Sequence, residues 1–99
     1  MELQERNKLK IINVIHALIP QADIYLFGSR ATGRHRAGSD IDIALDAEQQ
    51  LNRLDVGEVR DMLNASNIPY SFDIVDLYNT DEDFKKNIIA EGILWAKRK

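Results

Sequence analysis

Apolar residues recur at helical spacing over 2–19, at Leu3, Ile11, Ile12, Val14, Ile15, Leu18 and Ile19, and Pro20 ends the run. The pattern predicts an amphipathic first helix. The stretch "ADIYLF" at 22–27 is short, aromatic and β-branched and stops at Gly28, which predicts a buried strand. At 40–45, "DIDIAL" alternates strictly, so a second strand should turn Ile41, Ile43 and Leu45 into a core and Asp40 and Asp42 to the other face. Asp55-Val56-Gly57-Glu58 has capping-box form and predicts a helix capped at Asp55, with Val59, Met62 and Leu63 as its apolar stripe and an end near Asn67, before Pro69. "YSFDIVDL" at 70–77 predicts a third strand. Thr80 followed by Asp81, Glu82 and Asp83 predicts a last helix capped at Thr80, with Phe84, Ile88 and Ile89 inward. Gly92 should end it, leaving "ILWA" as a short edge strand, and the tail Lys97-Arg98-Lys99 reads as frayed and solvated. The order helix, strand, strand, helix, strand, helix indicates an α/β or α+β sheet with helices packed on it.

Composition narrows what such a sheet can do. Ninety-nine residues make one domain over 1–99 with a modest core, and a domain of this size buries only about 60% of its unfolded surface, leaving no room for a second, acceptor-binding domain. A net charge of -3 gives no general attraction to nucleic acid or to an anionic membrane, so no direct stable nucleic-acid binding is expected and any cationic footprint is local. Cysteine is absent, which excludes disulfides, thiol nucleophiles and thiolate zinc sites. No apolar run approaches the roughly 18 residues of a membrane span, and the charged first ten residues do not resemble a signal peptide. The expected location is cytoplasmic. His16, among aliphatic residues, reads as structural; Trp95 and Tyr78 read as edge packing or partner contacts.

The chemistry lies between residues 26 and 46. Asp40 and Asp42 leave one strand face about 6.6 Å apart at their α-carbons. Two acids so close are tolerable when solvated or when a cation lies between them, and hard oxygen ligands of this kind suit Mg²⁺, which takes one or two carboxylates plus water and phosphate oxygens. The preceding loop supplies phosphate donors. Gly28 lets backbone N–H groups approach an anion, Ser29 adds a hydroxyl, and Arg30, Arg34, His35 and Arg36 form a basic cluster in an acidic chain. Ser39 is placed to brace Asp40. A two-metal displacement also wants a third carboxylate, and Asp73 and Asp76, three apart, face opposite ways in a regular strand. Asp73 is the better choice, because it lies within the apolar run while Asp76 nears its end. Gly-Ser followed after ten residues by Asp-x-Asp arises by chance in about one chain in a thousand of this length.

These residues resemble the DNA polymerase β-like nucleotidyltransferase superfamily, and their compact arrangement resembles the minimal nucleotidyltransferase (MNT) family of antitoxin type. The resemblance runs through "FGSRATG", "SDIDIAL", "FDIVDL" and "EGILWA". It implies a two-layer α+β fold with a mixed sheet and helices on one side. It also implies two Mg²⁺ ions, ATP as substrate, and transfer of a nucleoside monophosphate to a hydroxyl. Gly28 and Ser29 match the phosphate-binding pair, with Arg30 and Ser39 beside them; Asp40 and Asp42 match the metal-binding pair, and Asp73 the third acid, which helps activate the nucleophile and joins the metal ligands. Thr32 stands where the family pattern has a second arginine. The MNT resemblance further implies a partner, a HEPN-type toxin, with adenylylation of a toxin tyrosine.

Three readings compete. The first is an Mg²⁺-dependent nucleotidyltransferase that modifies a HEPN partner. The second is a non-catalytic antitoxin that blocks the same partner sterically; the intact Asp40, Asp42 and Asp73 favour the enzyme. The third, transfer to a small molecule, lacks an acceptor domain. An apolar edge at 93–95 is a place where homo- or hetero-oligomers could form.

Overall fold

A computed structural model describes residues 5–28, 31, 33 and 40–99. Helix α1 spans Glu5–Leu18 and presents Ile11 and Ile15 to the core, and Leu3 lies outside the described residues. His16 is buried, and its Nε2 donates to the Ala22 carbonyl at 3.0 Å; since a carbonyl only accepts, that nitrogen carries the proton. Strand β1, Asp23–Phe27, pairs antiparallel with β2, Ile41–Asp46. Helix α2, Arg53–Ala65, then carries the chain to β3, Phe72–Asp76, which lies parallel to β2. A single 3₁₀ turn, Leu77–Asn79, leads to helix α3, Glu82–Glu91, and to strand β4, Ile93–Ala96, antiparallel to β1. The sheet order is β3-β2-β1-β4, mixed and open at both edges, an α+β architecture.

Alternation assigns the two faces. Ile24, Leu26, Ile41, Ile43, Leu45, Phe72 and Ile74 point one way, into the core built with α1 and α2. Each fully buried side chain of this kind stabilises the fold by about 1.5–3 kcal/mol. Tyr25, Phe27, Ala44 and Val75 point the other way. There they form a smaller cluster with Leu77 and with Ile88 of α3. The two-layer packing expected of the helices therefore belongs to α1 and α2, while α3 lies on the reverse face, beside the aspartates.

Four local expectations are corrected. Helix α2 is capped by Asn52, whose side chain accepts from Leu54 N–H at 2.8 Å, so Asp55 sits inside the first turn. An asparagine cap uses the same chemistry as an aspartate one, and sequence spacing does not separate the two. Helix α3 is capped by Asp81, which accepts from Phe84 N–H at 2.8 Å; Thr80 instead closes the 3₁₀ turn, donating to the Leu77 carbonyl. Of the three apolar residues expected inward on α3 only Ile88 is buried; Phe84 and Ile89 are exposed, as is Met62 on α2. The C-terminal residues are not frayed: Arg98 is ion-paired with Asp23 and Glu48, and Lys99 N–H donates to the Pro20 carbonyl.

Gly92 ends α3 as expected, though by a different device. Its φ is -75°, so left-handed backbone plays no part; a Cβ there would collide with the Ile88 carbonyl and approach the Leu26 carbonyl to 3.1 Å. Only glycine lets the helix hand over to β4 so close to β1. At the opposite edge, side chains of α2 cover β3: Arg60 donates to the Ile74 carbonyl at 3.2 Å, and Asn64 accepts from Phe72 N–H at 3.0 Å.

Candidate active site

The reverse face of the sheet begins with a row of three residues. Phe27 on β1 is registered opposite Asp42 on β2, and Asp42 opposite Asp73 on β3. Residues registered across neighbouring strands share a face, and the strands lie about 4.8 Å apart, so the two carboxylates are side by side. Asp42 is half-buried and Asp73 exposed. Asp40 is exposed immediately before β2. Its spacing from Asp42 matches the alternation that puts both on one face.

Gly28 follows Phe27 directly and adopts φ +76°, a left-handed conformation. A Cβ at this position would run into the Asp42 carboxylate, with Cγ only 3.2 Å away. Glycine is therefore required twice, by the backbone conformation and by the close approach of the acid. Ala31 N–H donates to the Gly28 carbonyl at 3.1 Å, so a turn opens here. The start of the loop expected to bind phosphate is thus packed onto a member of the acid pair. Ser29, Arg30 and Ser39, and the basic residues Arg34, His35 and Arg36 with Thr32, lie outside the described residues.

Asp76 is occupied differently. Its carboxylate accepts from Leu51 N–H at 2.9 Å and Tyr78 N–H at 3.0 Å, capping the 3₁₀ turn and tying the loop before α2 to the end of β3. The two acids of β3 have separate duties. Asp46, at the far end of β2, accepts from Glu48 N–H at 3.1 Å and closes a turn.

Hard oxygen donors on neighbouring strands can hold a hard cation, and two carboxylates are as many as Mg²⁺ usually takes from protein. Among the described residues no group of three acids or histidines is drawn close enough to hold an ion by itself. The sequence pattern assigns Phe27 to a buried strand and Phe84 to the core, and neither to the site. The rings lie 5.8 Å apart at 89°, edge to face, which places Phe84 of α3 beside the acid row. The available signal was the position of Phe27 directly before Gly28.

A mixed sheet that presents acids from two adjacent parallel strands beside a glycine turn is a nucleotidyltransferase architecture. A family model described as polymerase beta, nucleotidyltransferase, matches residues 9–99, and the chain belongs to that family. It is 34% identical over 96 residues to the protein adenylyltransferase MntA of Shewanella oneidensis, covering 95% of this chain and 68% of that protein. A crystal structure of a toxin–antitoxin with AMP-PNP matches with a TM-score of 0.79 at 30% identity, over 92% of this chain and 73% of that one. A tri-AMPylated HEPN toxin of Shewanella oneidensis in complex with its MNT antitoxin gives a TM-score of 0.75 at 28% identity, over 96% and 73% of the two chains. No helix among the described residues is long and apolar enough to cross a membrane.

Proposed function

We propose that this chain is the antitoxin of a toxin–antitoxin pair and transfers AMP from ATP to a hydroxyl, that of a tyrosine on a HEPN-type toxin, in the cytoplasm. The observation that carries this reading is the registration of Asp73 beside Asp42, with the Gly28 turn packed on Asp42. The relatives support the transferred group and the partner: one is a protein adenylyltransferase, and another is an MNT antitoxin in complex with an AMPylated HEPN toxin.

In the reaction, the acceptor oxygen attacks the α-phosphorus of ATP, the bond from that phosphorus to the bridging oxygen breaks, and pyrophosphate leaves. Asp73 takes the acceptor's proton, as its exposed place on the edge strand suits a group that must meet an incoming protein hydroxyl. Asp42 and Asp40 would hold Mg²⁺, for which two ions are proposed. Held there, the ions would supply charge neutralisation of the triphosphate and of the departing pyrophosphate. Gly28 keeps the turn low enough for the triphosphate to approach the backbone, and Ser29, Arg30 and Ser39 are the proposed donors to its oxygens. Phosphoryl-type transfer of this kind needs mainly positioning and charge neutralisation, which a small sheet can supply.

The test is to incubate the chain with its HEPN partner, ATP and Mg²⁺ and to measure the partner's intact mass. Addition of adenylate that disappears with EDTA and with Asp73→Asn is the expected result. An unmodified but fully inhibited partner would overturn it in favour of steric blocking.

A further inference from the structure

We propose that Phe84, braced by Phe27, is the surface on which the nucleobase of the substrate stacks. This rests on the reading of the acid row as a nucleotide site. Phe84 opens helix α3 on the reverse face, and its ring meets Phe27 edge to face at 5.8 Å. Phe27 is registered to Asp42 and is followed by the glycine turn. An aromatic wall therefore borders the carboxylate pair on the β1 side, next to the point where the phosphate loop begins. Phe84 is not spent on the core. It is 39% exposed, whereas Ile88, one turn later on the same helix, is 3% exposed and fills the cluster under α3.

The spacing selects the base over the acceptor ring. Phe27 and Asp73 are separated by two strand intervals, about 9.6 Å. An acceptor phenol must bring its oxygen to Asp73, so its ring belongs at the β3 edge, away from Phe84. A nucleotide, in contrast, has a ribose between its base and its α-phosphate. With the α-phosphate held over Asp42, the base falls to one side of the row, and the β1 side offers a flat apolar partner. Stacking of a base on an aromatic side chain is tolerant of base identity, because every base has a π-face.

The experiment compares ATP with inorganic tripolyphosphate, which has the phosphates and no base. Calorimetric titration of the full chain in magnesium buffer should show both binding. Phe84→Ala and the milder Phe84→Leu should weaken ATP by about five- to a hundredfold and leave tripolyphosphate unchanged, and Phe84→Trp should restore ATP binding. Circular dichroism confirms that each variant is folded, and the leucine variant keeps the test available if alanine unfolds the α3 cluster. Equal losses for both ligands, or none for ATP, would overturn the stacking role. So would unchanged ATP affinity with lost adenylylation of the partner, which would mean that the ring docks the acceptor. Failure of the unaltered chain to bind ATP at all would overturn the nucleotide site and this proposal together.

Discussion

The reverse face of the sheet carries a pair of acids in register at each end, and the two ends treat them differently. At one end Asp23 faces Asp46, and the chain supplies its own cation: Arg98 binds the Asp23 carboxylate through Nε at 3.1 Å, reaches the Asp46 carbonyl, and pairs with Glu48 at 2.9 Å. At the other end Asp42 faces Asp73, and Asp73 makes no ion pair among the described residues. Like charges directly across neighbouring strands are destabilising unless something neutralises them. One end is a structural clamp closed in cis by Arg98; the other leaves the Asp73 carboxylate exposed on the edge strand, where the proposed function puts a bound cation and the acceptor. The Asp23 carboxyl is held below its usual range first by the hydrogen bond from Arg98, against the opposing effect of burial, and the Tyr25 hydroxyl between the two ends is pushed up first by burial and then by Asp46 and Asp23.

The largest effect that could break this contrast is at Asp73. Asp73→Asn should lower adenylylation of the partner by at least about a hundredfold, the scale of a lost general base or metal ligand, with a thermal midpoint that stays level or rises. A drop in the midpoint with activity retained would make both ends structural. Gly28→Ala comes next. It should cost about 1–2 kcal/mol for the left-handed backbone, displace the Asp42 carboxylate, and lose activity alongside stability in denaturant titration.

Asp76→Ala sharpens the contrast within one strand. Removing the cap of the 3₁₀ turn should cost about 1 kcal/mol in chemical denaturation, while kcat of the folded fraction holds. The smallest effect belongs to the clamp. Because the folded pKa of Asp23 lies below the unfolded value near 3.9, its contribution to stability is complete above about pH 4 and is lost as pH falls through the folded value. Asp23→Asn should therefore lower the denaturation midpoint slightly at pH 7 and leave it close to that of the unaltered chain at pH 2, with adenylylation unaffected.

Periodicity made most of the elements legible. The alternation in "DIDIAL" assigned Ile41, Ile43 and Leu45 to the core, and the structure buries all three. Gly92 and the edge strand after it were readable from the local sequence. Helix starts were less so: Asn52 and Asp55, or Thr80 and Asp81, are neighbouring residues with equivalent capping chemistry, and the winner is set by where the preceding chain arrives. The amphipathic reading of α3 failed for Phe84 and Ile89 because the reverse face offers a cluster only wide enough for Ile88. The order of a basic C-terminal tripeptide was invisible locally, since the partner of Arg98 lies 75 residues away.

By itself the sequence determined which side chains share a strand face and where glycine must stand, because both follow from the two-residue repeat of an extended chain and from the steric cost of a Cβ. The tertiary structure decided which strands become neighbours and in what register. That choice put Asp73 beside Asp42, gave Asp76 to a turn, and brought Arg98 to Asp23, since pairing between distant segments is fixed by the packing of the whole core and by no local pattern.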